Sequence, residues 1–387
     1  MGDRGRSSAF SLAFGSLDQS HLEQWQALAA RSATFNPYFE PDYIRTIHSM
    51  LRPDVEPVLI GGGFDGILAA ALPVVRSESF HGHRVGNVWT TAPPLGATVL
   101  DLHVPLIDAE APDAAAEALV AALASLPGHG PQLLELQRVR FDDDAWRHLR
   151  RALESRHLSW RVWDTMRRPA IRSEGPGCAD GDSDRALHAD GLTRHSGRKS
   201  STSVRRRLKE LERDIGPATW VELSSDPQGI EQFIELESRS WKSNVSKGGE
   251  GLATSELGAT WFRDMTAHLR EKGSLHVGGL YADGEPVYLA VCFRRGESWF
   301  GGRDVYDPRF ARYSPGMLGR LAFVDWFRST QAGIFDSCIN SSVYPKALDH
   351  YPDSVDVGTI VIAGNRAGAL VLRALSAGRE RRWARLR

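Results

Sequence analysis

The sequence predicts an α/β protein of the α+β kind: two similar domains, each a mixed, mostly antiparallel sheet flanked by helices. Three observations carry that expectation. The order helix, helix, two strands around an Asp-Gly turn, strand, helix, strand occurs twice. The two copies keep a nearly constant offset: the turns at Asp65-Gly66 and Asp283-Gly284 lie 218 positions apart, and Trp25 and Trp241 lie 216 apart. Between them runs an irregular stretch, RSEGPGCADGDSDRALHADGLTRHSGRKS, rich in Gly, Asp, Ser and Arg. The expected boundaries are a first domain over 1–171, a flexible connection over 172–200 and a second domain over 201–387.

In the first domain LEQWQALAARS and EPDYIRTIHSM read as helices, and PVLIGGGFDGILAAALPVV as a hairpin. GNVWTT, DAAAEALVAALASL and PQLLELQRV then give strand, helix and strand, and SWRVWDTM a last strand. The second domain opens with an extra helix, STSVRRRLKELERDIG. Val204, Leu208, Leu211 and Ile215 make its apolar face, Arg205, Arg206, Arg207 and Lys209 cover the rest, and Gly216-Pro217 ends it. IEQFIELESRSW and TWFRDMTAHLREKG follow as helices, and LHVGGLYADGEPVYLAVCF as the hairpin. SWFGGRDVYD, MLGRLAFVDWFRST, GIFDSC and VDVGTIVIAG complete the repeat, before a short basic tail.

Composition narrows the function classes. The chain has 387 residues, 42% hydrophobic and 25% charged, with a net charge of -1. That is a soluble globular balance and excludes a general affinity for nucleic acid, so charge preference must come from local patches. The three cysteines, Cys178, Cys292 and Cys338, are far apart and without a CxxC, which argues for a reducing, cytoplasmic setting. The 13 histidines show no metal-ligand spacing, so no metal site is expected. MGDRGRSSAFSLAFG lacks a signal-peptide core, and Arg6 stands where a myristoylation motif has Ser or Thr. No segment approaches the roughly 18 apolar residues of a membrane span.

YDPRFARYSPGMLGRLAFVDWF, residues 306–327, raises the functional question. Ser314 fits a helix N-cap, Pro315 the first helical position, and Gly316 leaves the first turn bare. A bare first turn exposes unpaired N–H groups and the positive end of the helix dipole to an anion. Arg309, Arg312 and Arg320 would add charge-assisted bonds to a phosphate. The structural alternative is a Ser-Pro-Gly helix start and nothing more.

Read together, several motifs resemble the CelD-like acetyltransferases, relatives of the FemAB transferases within the GNAT superfamily. They run in order: the Arg-rich helix at Arg205–Arg213, then Leu236, Glu237, Ser240, Trp241 and Lys242, then Asp283, Gly284, Pro286 and Val287. Tyr306, Asp307, Ser314, Pro315 and Gly316 come next, and Asp336, Tyr344 and Lys346 close the set. The resemblance spans about residues 200–350 and implies a tandem GNAT fold. It also implies an acyl-CoA site where the central sheet splays open, with the donor's pyrophosphate on the loop of Arg309, Arg312, Tyr313, Ser314, Pro315 and Gly316. A carrier-protein thioester or an aminoacyl-tRNA is the alternative donor. No permanently bound cofactor is implied.

The implied reaction, amine attack on a thioester, needs in-line positioning, a proton acceptor and a proton donor. Glu237 shares the apolar stripe of Ile230, Ile234 and Trp241, and an inward carboxylate is costly unless paired or used. It is therefore a candidate base, with a structural ion pair as the alternative. Asp304, expected on one strand face with Phe300 and Tyr306, is the second candidate. Tyr344, or else Tyr351, is the expected donor to the leaving thiolate. Trp241, Lys242, Asp336 and Lys346 are the expected substrate contacts, although Trp241 also reads as core and Lys346 as a surface lysine. Lys247 and the TTAPPLG stretch at Pro93-Pro94 are further candidates for the acceptor mouth. The basic helix over 198–213 either faces solvent or holds a carrier protein or tRNA. The leading expectation is an N-acyltransferase acting on an amine of a small molecule or of an envelope or secondary-metabolite precursor. A FemAB-like aminoacyl-tRNA-dependent transferase and a non-catalytic docking protein are the rivals.

Overall fold

A computed structural model describes residues 7–47, 55–91, 101–175, 185–187, 189–193, 198–247, 249, 251–254 and 256–384. In chain order the elements are β1 (Ser7–Ala13), α1 (Gln19–Arg31), α2 (Pro41–Thr46), β2 (Val58–Phe64), β3 (Ile67–Phe80), β4 (His83–Thr90), β5 (Leu106–Ile107), α3 (Pro112–Ala122), β6 (Leu133–Arg140), α4 (Asp144–Ser155) and β7 (Trp160–Glu174). Then come β8 (Arg185–Ala186), α5 (Ala189–Thr193), α6 (Arg198–Asp214), β9 (Ala218–Glu222), α7 (Gln228–Arg239), α8 (Glu256–Glu271), β10 (Leu275–Ala282), β11 (Glu285–Arg295), β12 (Ser298–Tyr306), α9 (Pro315–Thr330), β13 (Ala332–Asp336), β14 (Asp353–Ala363) and α10 (Arg366–Ala384).

The chain forms two compact units, Met1–Thr165 with Asp356–Arg387, and Met166–Val355. Within the first, β1, β2, β3 and β4 pair antiparallel in sequence, β4 meets β6 in parallel, and β6 pairs antiparallel with β14. Within the second, β9, β10, β11 and β12 repeat that antiparallel run, β12 meets β13 in parallel, and β13 pairs antiparallel with β7. The expected duplication is therefore visible strand for strand. Both hairpin turns also share one backbone form, with φ 50° and 80° at Asp65-Gly66 and 49° and 78° at Asp283-Gly284. That is the primed turn that the Asp-Gly pair favours.

The last strands correct the expected boundaries. SWRVWDTM is expected to close the first sheet and VDVGTIVIAG the second. Residues 159–165 do lie in the first unit, but β7 runs on past them, and its last third, Ala170–Glu174, pairs with β13 of the second unit. Val357–Ala363 of β14 pairs with β6 of the first. Residues 356–387 thus belong to the first unit, not to a domain ending at 387. Burial is the physical reason: Val357, Ile360, Val361 and Ile362 are fully covered in the core around β6. The expected connection over 172–200 is also partly regular structure. It holds the end of β7, all of β8 paired to β9, α5 and the first residues of α6; Cys178 lies outside the described residues.

In the second unit β10 is buried along its whole length, as its largely apolar sequence favours, with His276 buried as well. Val204, Leu208 and Leu211 of α6 are buried with Trp220, Tyr288, Trp299 and the inner face of α9 in one core. α7 buries Ile230, Phe233, Ile234, Leu236 and Glu237. It ends at Arg239, where Ser240 caps a new 3-10 turn, Trp241–Ser243, by accepting from the Lys242 N–H. The helical period stops there, and Trp241 is 42% exposed rather than core.

Candidate active site

β12 and β13 stay paired for only three residues, Ser298–Phe300 against Ile334–Asp336. β12 then runs on to Tyr306, while the other chain turns away through Cys338, whose φ is 57°. At the parting point an added Cβ on Gly301 would lie 2.4 Å from the Ser337 carbonyl oxygen, so only glycine allows this approach. One residue further the ladder slips: Cys292 faces Gly301 and Val291 faces Arg303, leaving Gly302 as a bulge.

The bulge corrects the expected strand faces. Strict alternation put Asp304 with Phe300 and opposite Trp299. With Gly302 extruded, Asp304 shares the face of Trp299 and Tyr306, and Arg303 that of Phe300 and Val305. Their contacts agree: Asp304 meets α9 through Arg320, and Arg303 meets α7 through Glu237.

Glu237 is completely buried. Arg303 grips its Oε1 through Nε at 3.0 Å and Nη2 at 2.9 Å, and the Leu252 N–H donates to Oε2 at 2.6 Å. Of the two expected roles, base or ion pair, the geometry is that of the ion pair. Asp304 accepts from Arg320 Nε at 2.9 Å and from the Tyr288 hydroxyl at 3.2 Å, and Arg320 Nη2 lies 2.8 Å away. Lys242 Nζ donates to the Asp304 backbone carbonyl and stands 3.5 Å from its carboxylate. Burial works against the Asp304 charge, but Arg320 and Lys242 outweigh it and hold the carboxyl well below the usual carboxylate range.

The neighbours titrate in the pattern of a partly covered cationic cluster. Burial lowers the pKa of Lys242, with Asp304 opposing. Burial raises the Tyr288 and Tyr351 phenols and the Cys292 thiol far above their ordinary values, so all three stay protonated. Burial, then Arg320, pushes His350 down to about 4, and its buried Nδ1 has no hydrogen-bond partner.

The predicted phosphate loop lies at the mouth. After β12, a 3-10 turn over Pro308–Tyr313 leads into α9, with Asp307 capping that turn through the Arg309 N–H. Ser314 occupies the N-cap position of α9 in the left-handed region, φ 57°, and its side chain makes no capping bond. This corrects the expected Ser314 cap: the left-handed backbone, not the hydroxyl, sets the helix start. Pro315 takes the first helical position as expected. Gly316 is half-buried, with Tyr306 3.4 Å from where a Cβ would sit. Arg309 and Arg312 already hold carboxylates. Arg309 reaches Asp307 at 2.7 Å and Glu285 at 3.1 Å, while Arg312 reaches Asp214 at 3.1 Å and stacks on the Tyr313 ring. The buried Tyr313 donates its hydroxyl to Asp214.

The other expected residues scatter. Tyr344 is 49% exposed and Lys346 is exposed, with Tyr351 rather than Tyr344 inside the cluster. Asp336 is wholly buried against Arg168 at 3.1 Å and accepts the Cys338 N–H, so it locks the strand end and is closed to a substrate. The arginines of α6 are occupied by the chain itself: Arg205 by Asp190, Arg206 by Glu210, and Arg207 by Glu210 and the Arg312 carbonyl. The Lys247 side chain, Pro93 and Pro94 lie outside the described residues. Sequence reading did not reach Arg303, Tyr288 or His350. The Gly-Gly pair at 301–302 was the available signal for the first, since paired glycines in a strand mark a bulge.

Among the described residues no group of His, Cys, Asp or Glu is placed to hold a metal ion, and no helix is long and apolar enough to cross a membrane. No curated protein matches the chain. Among solved structures, FemX is similar at 10% identity and a TM-score of 0.48, covering 88% of this chain and 95% of that one. The C-terminal domain of a putative lysylphosphatidylglycerol synthetase from Agrobacterium fabrum is similar at 12% identity and 0.46, over 92% and 95%. A tandem GNAT protein from the clavulanic acid biosynthesis pathway is similar at 11% and 0.41, over 93% and 99%. The sequence match is more direct: residues 198–344 fit the family model described as an acetyltransferase (GNAT) domain. The segment from α6 through the parted strands to Tyr344 is a domain of the GNAT acetyltransferase superfamily.

Proposed function

We propose that the second unit is an N-acyltransferase that moves an acyl group from a thioester, an acyl-CoA first among donors, to the amine of a small molecule. The parting of β12 from β13, with the start of α9 at its mouth, carries the proposal. The gap between parted strands suits a thioester laid along β12 with its carbonyl polarised. A helix start with a bare Gly316 suits the donor's phosphates. The amine nitrogen attacks the carbonyl carbon, a C–N bond forms, the C–S bond breaks, and the thiolate leaves with a proton. No covalent enzyme intermediate is needed.

Proton handling is assigned away from the two carboxylates. Asp304 is an anion fixed by two cations and Glu237 has both oxygens engaged, so neither is poised to take a proton. His350, neutral and with an unpartnered Nδ1, is the proposed acceptor; Tyr351, protonated and beside Arg320, is the proposed donor to sulfur. An aminoacyl-tRNA or carrier-protein donor has less in its favour, because the α6 arginines are already paired within the chain.

Mass spectrometry of products from a panel of small thioesters and an amine library tests the proposal. The expected result is an N-acylated amine, with Tyr351→Phe and His350→Ala each lowering kcat by about 10²-fold. Transfer only from aminoacyl-tRNA, or no transfer from any thioester, overturns it.

A further inference from the structure

Resting on the acyltransferase reading, we infer that the amine acceptor also carries a carboxylate, held by Lys242 and Arg320. The inference begins with a charge imbalance. Glu237 is fully matched by Arg303 and the Leu252 amide. Asp304 is one carboxylate facing two cations, Arg320 at 2.8 Å and Lys242 at 3.5 Å.

Of the remaining groups around this pair, the exposed Asp349 carries negative charge, but it forms no ion pair with Lys242 or Arg320 among the described residues. Tyr288 and Tyr351 are held protonated by burial, and His350 is neutral. Asp349 also acts on His350, but through charge alone. One positive charge therefore has no carboxylate of its own at ion-pair distance among the described residues, in a setting that is mostly covered. The Lys242, Arg320 and Asp304 side chains are 24%, 22% and 27% exposed. Each is open enough for a small anion to reach and covered enough for the contact to count.

The position fits an acceptor better than a donor phosphate. Lys242 follows α7 and contacts Asp304 on β12, beyond the point where β12 leaves β13. The bare helix start offered to phosphates is at Gly316, at the other end of the turn that carries Arg309 and Arg312. Arg320 lies one helical turn further along α9. An amine bearing a carboxylate, an amino acid or a compound ending in one, would give Lys242 a second anion to share with Asp304.

Two measurements test this on the full chain. The first is labelling of lysines by acetic anhydride, read by mass spectrometry, with and without succinate, inorganic phosphate or coenzyme A. Succinate is expected to slow labelling of Lys242 several-fold and to leave Lys346 and Lys209 unchanged. Protection by phosphate or coenzyme A but not by succinate assigns the anion to the donor and overturns the inference. So does no protection by any probe. The second is the kcat/KM ratio for glycine over glycinamide with the thioester that proves active. The wild type is expected to favour glycine at least tenfold; Lys242→Gln should bring the ratio near one, and Lys242→Arg should restore it. A wild-type ratio near one sinks the inference while leaving acyl transfer standing. Succinate protection without acyl transfer from any thioester leaves the anion subsite standing and removes the function it was placed in.

Discussion

Replacing Asp304 by Asn keeps the shape of the side chain and removes the charge that Arg320, Lys242 and Tyr288 share. Breaking a fully buried ion pair from one side costs about 3–5 kcal/mol, whereas an exposed pair contributes about 0–1 kcal/mol. Asp304 and Arg320 are 27% and 22% exposed, so the pair lies nearer the buried limit. We expect Asp304→Asn to cost about 2–3 kcal/mol, because screening by solvent trims the buried figure. Glu285→Gln is the matched control. Its pair with Arg309 is 3.1 Å long, but 54% and 56% exposed, and the expected cost is under about 0.5 kcal/mol. Urea unfolding followed by tryptophan fluorescence reads both, since Trp220, Trp299 and Trp326 sit in the core of that unit. The pH dependence gives a second reading. A carboxyl whose folded pKa is depressed stabilises the protein above its unfolded value, near pH 4, and loses that contribution as pH falls further. The gap between wild type and Asp304→Asn should therefore close as pH drops below about 4. A cost no larger than that of Glu285→Gln, or a gap that does not change with pH, would refute the reasoning.

Further outcomes follow from neighbouring features. Gly301→Ala places a methyl 2.4 Å from a carbonyl oxygen and should cost on the order of 2 kcal/mol by urea melt, with lowered acyl transfer. His350 is neutral when folded, at about 4 against 6.5 unfolded, so stability should fall as pH drops from about 6.5 toward 4. His350→Asn should remove that slope in thermal melts taken across the window. A fragment ending at residue 171 lacks Val357–Ala363, which pair with β6, and should show no cooperative unfolding by circular dichroism.

Much of the architecture was legible because it rests on short-range signals. The Asp-Gly turns, the buried run of β10 and the apolar stripe of α6 each follow from local chemistry, and each is present. Two features were not legible for opposite reasons. Strand exchange is a choice between near-equivalent partners, and the apolar residues of β14 suit either sheet equally well. The faces of β12 depended on one extruded glycine, and alternation counted past it gave the wrong side for Asp304. Residue types at the site were found more readily than their tasks. Glu237 was legible as an inward carboxylate, but its partner Arg303 comes from a strand 66 positions later. Motif position favours Tyr344 over Tyr351, and only burial separates the two.

The extruded glycine has a consequence for how this domain tolerates change. Because Gly302 stands outside the ladder, losing one of the two glycine codons would shorten the strand and little else: a glycine would still face Cys292 and Arg303 would still face Val291. The opposite change is the damaging one. Drawing Gly302 into pairing would turn every later side chain through half a turn, sending Arg303 toward Arg320 and Asp304 toward Glu237. Like charges would then meet on both sides of the sheet at once. Substitutions around this strand act one at a time, but a one-residue slip here inverts two ion pairs together, so the salt bridges on the two faces themselves hold the glycine out of the ladder.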